Sequence, residues 1–410
     1  MKKYHLTVVG AGAAGMMAAI VAAREGKSVL LLEKLSKVGA KLRSTGGGRC
    51  NLTNTLSNED FMARFGRDGR FMTPALDALD SKDLLKFFKE LGVESHAPDG
   101  YRVFPITHSS STVIDAMLNE LLHLGVELLC SQKVEALHHN SQKITGVETQ
   151  TDTFYSDAVI IASGGMGYPM LGAEGDGYAI AESIGHKVTD IYPAMMPLKT
   201  KETWVEHCRA DTIPKVKIHV DIKKYKKLFA VGDLIFTKNG IRGPVVLDFS
   251  REITPLLSKF NEVPIVMNLI KGLNEEQLRL HIKEQLNHNP HQDVLDLMQT
   301  LLPNSVCVQL CKTLNVSTTS SWNKLSGAVR DGLIKLLVAT PLTINGHDGF
   351  KMAMITRGGV SLKEIDPYTM KSKKIEGLYF CGEVMNLDGP CGGYNLQWSF
   401  SSGFLAGKVK

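Results

Sequence analysis

The chain has 410 residues, and 47 Lys and Arg against 42 Asp and Glu give a formal net charge of +5 at pH 7. Its apolar content of 43% excludes an intrinsically disordered protein, and its 7 cysteines are too few for a small disulfide scaffold. Glycine is the unusual component, with 38 residues. Because glycine serves special backbone positions, the places where it clusters indicate where function lies.

The cysteines and the hydropathy favour a cytoplasmic protein. The cysteine count is odd, the residues are scattered and none forms a CxxC pair, which is typical of thiols in a reducing compartment. No segment reaches the ~18 consecutive apolar residues of a transmembrane helix, so no membrane partner is expected. Cys307 and Cys311 lie one helical turn apart without further ligands nearby in the sequence, so we predict no metal site.

The N-terminal residues have the pattern of a β-α-β unit. Residues 5–9 form a short apolar run, residues 13–24 are rich in Ala and Met, and residues 28–32 form a second apolar run. Gly26 stands where a helix usually ends. This order predicts an α/β fold with a doubly wound, Rossmann-like sheet.

The pattern continues through the first half of the chain. Residues 81–91 and 112–124 have helical apolar spacing, and residues 126–130 look like the next parallel strand. Residues 144–150 and 153–156 alternate like antiparallel strands. A separate, fully apolar strand is predicted at residues 158–162, so the sheet should contain both parallel and antiparallel pairs.

The character of the sequence changes after residue 190. Short strands with prolines and lysines are followed by a helical stretch, which begins with a capping box of Asn274 and Gln277. Glycine returns after Gly346. We therefore predict a nucleotide-binding domain built from residues 1–190 and 346–410 and an inserted, β-barrel-like substrate domain of residues 191–345, mainly β over 191–273 and helical over 274–338.

The first glycine cluster is the string GAGAAG from Gly10 to Gly15. It follows a predicted strand and opens a helix, which is the setting of the GxGxxG fingerprint for dinucleotides. Gly10 allows the tight turn, Gly12 lets the backbone approach a pyrophosphate and Gly15 lets helix and strand pack closely. Glu33, at the end of the second strand, suits a ribose hydroxyl of the nucleotide.

Three further clusters favour FAD over NAD. The string STGGGRCN begins at Ser44, and a loop here suits a cofactor that continues beyond its pyrophosphate. Ser163, Gly164 and Gly165 end a buried strand, where open α/β sheets bind ligands. The last cluster leads into a helix near Gly393, whose N-terminal dipole suits the negative charge of a reduced flavin.

The chain resembles a known family at four stretches, which are VVGAGAAG from Val8, STGGGRCNLTN from Ser44, DPYTMKSK from Asp366 and CGGYNLQW from Cys391. It is similar to the BaiN-like and aminoacetone-oxidase-like flavoproteins, which belong to the flavoproteins with two dinucleotide-binding domains. The resemblance implies non-covalent FAD and contacts from all four glycine clusters. The residues expected to contact the cofactor are Gly10, Gly12, Ala13, Ala14, Gly15, Glu33, Lys34, Lys41, Ser44, Gly47, Gly48, Arg49, Cys50, Asn51, Val134, Ala162, Ser163, Gly164, Gly165, Asp176, Gly382, Glu383, Asp388, Gly389, Gly392, Gly393, Tyr394, Asn395 and Leu396.

The favoured function is hydride transfer between a small organic substrate and the flavin, with oxygen or diffusible NAD(P)H completing the cycle. No second GxGxxG is present for a dedicated NAD(P) domain, and no catalytic acid or base stands out. A flavin-dependent RNA-modifying enzyme is a less favoured alternative, since the lysines of residues 215–227 could follow phosphates. A flavin-binding protein without catalysis is the third reading. The sequence does not predict the substrate or the oligomeric state.

Overall fold

The computed structural model describes residues 2–140 and 142–409. Its contacts divide the chain into two compact units. The first, which we call the split unit, comprises Met1–Pro193 and Ala353–Lys410. The second, the inserted unit, is Ala194–Met352.

The split unit is built on a mixed sheet. Within the described residues the order of the paired strands is Glu127–Leu129, Val29–Leu32, Lys3–Val9, Thr153–Ile161, Lys143–Thr149 and Val134–Asn140, and Leu378–Phe380 also pairs with Thr153–Ile161. The pairs that involve the first strand, and the pair made by Leu378–Phe380, are parallel. Lys143–Thr149 pairs antiparallel on both of its sides. The predicted Rossmann-like fold is thereby confirmed.

One strand replaces the two that the sequence predicts between residues 153 and 162. Thr153–Ile161 is continuous, with an antiparallel neighbour at Tyr155 and a parallel neighbour at Ile161. Its first half is alternately exposed and buried, while its last four residues are all buried. The change of pattern marks the passage from a part of the sheet with one exposed face to a part that is covered on both faces, so it does not mark a break in the strand.

Helices cover the sheet of the split unit. Two of them pack closely together: Ala13–Arg24, which we call the fingerprint helix, and Tyr394–Gly407, the terminal helix. A methyl group at Gly403 would overlap the carbonyl oxygen of Ala14. The other helices of the unit are Ala40–Ser44, Asn58–Ala63, Thr73–Ala78, Ser81–Glu90, Ser110–His123 and Asp176–Ser183, and its short outer strands are Thr53–Asn54, Ser95–His96, Arg102–Pro105, Tyr192–Ala194 and Ile355–Arg357.

The inserted unit contains a closed antiparallel barrel. Its strands, in the order of pairing, are Leu198–Thr200, Gly240–Arg242, Phe229–Thr237, Thr212–Val220, Val263–Asn268 and Thr340–His347. The last strand pairs with the first, which closes the barrel. Beyond it lie the helices Glu275–His288, Val294–Gln299, Asn304–Thr313 and Gly327–Val338, and the capping box of Asn274 and Gln277 is present at the first of these.

A long helix, Pro244–Phe260, was not expected from the sequence. Its β-branched residues and its internal Pro255 favour a strand or loop locally. The apolar residues Val246, Phe249, Ile253 and Leu257 nevertheless recur at helical spacing, and all four are buried. Burial of this stripe against the barrel therefore outweighs local propensity.

The described residues contain neither a candidate membrane-spanning helix nor a candidate metal-binding cluster. Across residues 2–140 and 142–409, no helix is both long and apolar enough to cross a bilayer. In the same residues, no group of three or more His, Cys, Asp and Glu side chains could hold a metal ion.

Replacing Gly403 by Ala tests the packing of the terminal helix on the fingerprint helix. We expect Gly403→Ala to lower the free energy of unfolding by about 1–3 kcal/mol in urea denaturation, because the new methyl group must push the two helices apart. The matched control is Gly327→Ala, where a methyl group would meet nothing within 4 Å. The control should change stability by less than ~0.5 kcal/mol, and equal losses in both variants would contradict this packing.

Candidate functional site

The three glycines of the fingerprint have different surroundings. Gly10 has a φ of +102°, and a methyl group there would lie 2.8 Å from the carbonyl oxygen of Ala162. A methyl group at Gly15 would overlap the carbonyl oxygen of Gly10. A methyl group at Gly12 would meet no atom within 4 Å. Packing therefore requires two of the glycines, while the third faces open space at the start of the fingerprint helix, where an anion is favoured.

Glu33 holds the turn beside this helix. Its Oε2 accepts a hydrogen bond from the backbone N–H of Ala11 at 2.9 Å, and its Oε1 accepts one from Leu35 at 2.9 Å. An ionised carboxylate has about four acceptor positions. Glu33 can therefore fix the turn and still accept hydrogen bonds from the hydroxyls of a ribose.

Lys34 and Asp176 lie together at the same corner. The Lys34 Nζ is 2.5 Å from Asp176 and 2.7 Å from Glu174, and Lys133 reaches Asp176 at 3.0 Å. Burial acts to raise the pKa of Asp176, but hydrogen bonds from the two lysines outweigh it and hold that pKa below its usual value. The neighbouring Val134 is buried at the start of its strand. The structure thus brings Glu33, Lys34, Val134 and Asp176 to one corner of the sheet.

The GGG segment forms a tight turn. Gly46, Gly47 and Gly48 all have left-handed φ values, between +58° and +86°. Just before them, the Lys41 Nζ pairs with Glu383 Oε2 at 2.6 Å, and both side chains are half-buried. This ion pair ties the second glycine cluster to the fourth.

Two asparagines hold the start of the terminal helix. With its amide oriented to satisfy its neighbours, the Asn51 oxygen accepts a hydrogen bond from the Gly393 N–H at 3.0 Å. Asn54 is fully buried, and its Nδ2 donates to the carbonyl oxygen of Gly392 at 2.9 Å. Asn54 is absent from the residues predicted from the sequence, although it ends the matching STGGGRCNLTN string.

The loop before the terminal helix is closed on itself. The Asn395 Oδ1 accepts a hydrogen bond from the Gly389 N–H at 2.7 Å, and its Nδ2 donates to the Gly389 carbonyl oxygen at 2.9 Å. The hydroxyl of buried Tyr394 is hydrogen-bonded to that of Tyr101. Asp388 lies 3.8 Å from Arg357 in an ion pair. The loop is therefore a preformed structure.

Thr356 is a second residue that sequence reasoning missed. Its N–H donates to Glu383 Oε1 at 2.9 Å, and its Oγ1 accepts from the Met166 N–H at 2.7 Å. A methyl group at Gly165 would overlap this Oγ1 and lie 2.7 Å from Glu383 Oε1. The third cluster is thus packed against the fourth through one buried threonine. The sequence feature that marks Thr356 is its position directly before Arg357, Gly358 and Gly359.

Ser163 carries an unsatisfied hydroxyl. Its Oγ is buried and has no hydrogen-bond partner among the described residues. Buried hydroxyls without partners are rare because each costs free energy. Together with the open space at Gly12, this atom fits a bound polar ligand at the carboxyl ends of the strands.

Some predicted residues lie at the margins of this arrangement. Arg49 is exposed and stacks on the ring of Phe104 at 5.2 Å, and Ser44 is also exposed. Cys50 is wholly buried, and burial raises its pKa to about 12, so it is a neutral thiol near pH 7. The other predicted contacts belong to the glycine clusters already described and are Ala13, Ala14, Ala162, Gly164, Gly382 and Leu396.

The four glycine clusters contact one another within the split unit. A methyl group at Gly382 would lie 2.8 Å from the Ala14 side chain, so the fourth cluster also meets the first. Glu33 lies beside the first cluster and the terminal helix begins at the fourth, and this second helix N-terminus is not part of the fingerprint for NAD. Fold and site together define the class: an oxidoreductase that binds FAD.

The chain belongs to the HI0933-like family, since residues 4–409 match the family described as "HI0933-like protein Rossmann domain". It is 30% identical over 407 residues to the 3-dehydro-bile acid delta(4,6)-reductase of Clostridium scindens, covering 99% of this chain and 98% of that protein. It is 29% identical over 402 residues to the ribosomal RNA dihydrouridine synthase of Escherichia coli, covering 98% and 96%.

Solved structures show the same fold. The 3-ketosteroid delta1-dehydrogenase of Sterolibacterium denitrificans matches with a TM-score of 0.54 at 12% identity, covering 99% of each chain. The predicted family resemblance, the fold class and the assignment as a flavin-dependent oxidoreductase are confirmed.

The fingerprint glycines should respond differently to the same substitution. We expect Gly12→Ala to leave the stability of the FAD-free protein unchanged and to weaken FAD binding at least about tenfold, or ~1.4 kcal/mol. We expect Gly15→Ala to destabilise the protein even without FAD, because its methyl group overlaps a backbone oxygen. Urea denaturation and fluorescence titration with FAD measure the two effects, and a Gly12→Ala protein that binds FAD normally would refute the role of Gly12.

Asn54 should act on the cofactor through the terminal helix. We expect Asn54→Ala to cost about 1–3 kcal/mol of stability, because the partly buried Gly392 carbonyl loses its donor, and to speed FAD release in gel filtration. The control is Asn289→Ala, at an exposed position of the inserted unit. If the two variants retain FAD equally well, Asn54 does not position the helix.

Proposed function

We propose that this protein reduces a carbon–carbon double bond conjugated to a carbonyl group, with FAD bound non-covalently and NAD(P)H as the electron donor. One observation carries the proposal: two relatives that match over nearly the whole chain are named for different substrates but reduce the same kind of bond. A 3-dehydro bile acid with 4,6 unsaturation is a conjugated ketone, and dihydrouridine forms by saturation of the uracil ring double bond.

The predicted contacts assign parts of the split unit to parts of FAD. Gly10, Gly12 and Gly15 would receive the pyrophosphate at the start of the fingerprint helix. Glu33 would accept the ribose hydroxyls, with Lys34, Val134 and Asp176 around the adenosine. The segment from Lys41 to Asn51 and the terminal loop would enclose the rest of the cofactor. Ser163 Oγ would find its missing partner in the bound cofactor.

The terminal helix would stabilise the reduced state. Bound FAD, once reduced by NAD(P)H, would supply a hydride from its N5 atom, and a proton from solvent would complete the saturation of the double bond. The N-terminus of the helix has glycine at its cap and no acidic residue in its first turn, so its positive dipole end is not neutralised there by a side chain. Asn51 and Asn54 hold this end in place, and negative charge that develops nearby is therefore favoured.

A uracil base within RNA is a second candidate for the substrate. The match to the ribosomal RNA dihydrouridine synthase favours it, at nearly the same identity and coverage as the match to the bile acid reductase. Both candidate substrates would use the same cofactor site, and in both a carbon–carbon double bond conjugated to a carbonyl group would be reduced. They differ in whether the substrate arrives free or on a polynucleotide.

Anaerobic spectroscopy tests the reaction. We expect the purified protein to contain FAD, to lose its flavin absorbance under NADH or NADPH, and to regain it when 2-cyclohexenone is added. Cyclohexanone, which lacks the double bond, should not restore the absorbance and serves as the control. Gly12→Ala should show the same responses only at raised FAD concentrations.

Three results would overturn the proposal. These are a colourless protein that FAD does not reconstitute, a flavin that neither nicotinamide cofactor reduces, and reduction of the flavin by simple amines in place of NAD(P)H. The RNA candidate is tested separately by mass spectrometry of oligouridylate incubated with protein and NADPH. A gain of two hydrogen atoms per reacted base supports it.

A further inference from the structure

An exposed face of the barrel carries alternating charge and apolar surface. Strands Thr212–Val220 and Phe229–Thr237 are neighbours, with Lys217 opposite Val231 and His219 opposite Phe229. Ile218, which lies between Lys217 and His219 in sequence, is buried and faces the barrel core. We call the outward residues Lys215, Lys217, His219, Phe229 and Val231 the hairpin face. The exposed Asp233 follows them on the same strand, and its Oδ1 accepts a hydrogen bond from the Lys215 N–H at 3.1 Å.

Two large apolar side chains protrude from the hairpin face. Phe229 is 60% exposed and Val231 is 58% exposed, although neighbouring positions of the barrel are well packed. The Lys217 Nζ lies 5.3 Å from the centre of the Phe229 ring. The ammonium lies over one face of this exposed ring, and a planar group can stack on the ring surface that the lysine leaves uncovered.

The loop that joins the two strands adds positive charge. Between residues 212 and 228 the sequence has six lysines, which are Lys215, Lys217, Lys223, Lys224, Lys226 and Lys227, and a single aspartate. That aspartate, Asp221, pairs with Lys226 at 3.5 Å, and the other five lysines make no ion pair within the described residues. The positive charge of this segment is therefore largely uncompensated.

A second group of rings lies beside this loop. Tyr225 and Phe260 pack edge to face with their centres 6.0 Å apart, and Lys259 lies 5.2 Å from the centre of the Phe260 ring. The Lys259 Nζ also donates to the Tyr225 hydroxyl at 3.5 Å. A lysine thus lies over an aromatic ring both at Phe229 on the strand and at Phe260 at the end of a helix.

We propose that the hairpin face and its lysine loop bind single-stranded RNA. Unpaired bases would stack on Phe229, while phosphates would lie along Lys217, Lys223 and Lys224, which is the combination that single-strand binding surfaces use. Paired bases do not expose their faces to a ring on a strand, so the surface fits single strands. This RNA-binding role rests on the RNA candidate of the proposed function. It is tested separately, because RNA binding is measured without catalytic turnover.

Fluorescence anisotropy with a labelled oligouridylate of about 12 nucleotides tests the binding on the full-length, FAD-containing protein. We expect saturable binding at low salt that weakens steeply as salt rises. Phe229→Ala should weaken binding by about 5- to 160-fold, the range found for loss of one base–aromatic stack. Its control is Leu280→Ala, which also removes an exposed apolar side chain of the inserted unit.

The contribution of the lysines is tested by the salt dependence of RNA binding. Replacing Lys223 and Lys224 together by Gln should reduce the slope of log affinity against log salt by about 1.4, or ~0.7 for each lost phosphate contact. Lys283→Gln with Lys324→Gln is the charge-matched control at exposed positions elsewhere in the inserted unit. Flavin reduction by NADPH and reoxidation by 2-cyclohexenone are recorded on each variant, so loss of RNA binding is distinguished from loss of the reductase reaction.

Several outcomes would overturn the inference. One is the absence of binding at low salt, and another is binding that Phe229→Ala leaves unchanged and that polyphosphate displaces as well as oligouridylate does. A third is tighter association with phosphatidylglycerol vesicles than with RNA, which would make the face a membrane surface. A fourth is a dimer that Phe229→Ala dissociates while RNA binding persists, which would make it a contact between copies of the chain.

Discussion

The close approach of backbone to backbone around the fingerprint helix is the constraint on which the split unit depends. Gly15 meets the carbonyl oxygen of Gly10 on the side of the first strand, and Gly403 meets that of Ala14 on the side of the terminal helix. A side chain at either position would overlap a carbonyl oxygen, and packed interiors do not absorb such an overlap without displacement. The space left open at Gly12 is then available to a ligand.

This packing also explains why both ends of the chain build one site. The ion pair between Lys41 and Glu383 and the hydrogen bond from Asn54 to Gly392 each join residues more than 300 positions apart in sequence. The glycine loops are held by each other, and none is held by its own neighbours alone. The geometry of the proposed cofactor site is therefore a property of the whole split unit.

The sequence predicts those features that local backbone needs determine. The fingerprint helix, with Gly26 following its end, and the start of the terminal helix at Gly393 follow from glycine positions and apolar spacing. Asn54 and Thr356 were not assigned, because each bonds to a partner distant in sequence, and a position beside a glycine-rich string does not reveal that partner. Helix Pro244–Phe260 was missed because burial against the barrel decided its structure, and the cofactor contacts themselves remain predictions.

The position of the last strand has a consequence for synthesis on the ribosome. Val159, Ile160 and Ile161 receive their final neighbours only from Leu378–Phe380. At about 5–20 residues per second, the inserted unit is translated in roughly 10–30 seconds, and during that time this apolar strand edge has no partner from its own chain. Unpaired strand edges recruit other chains. The nascent protein thus passes through a period of vulnerability to aggregation that ends when Leu378–Phe380 emerge and pair with this strand.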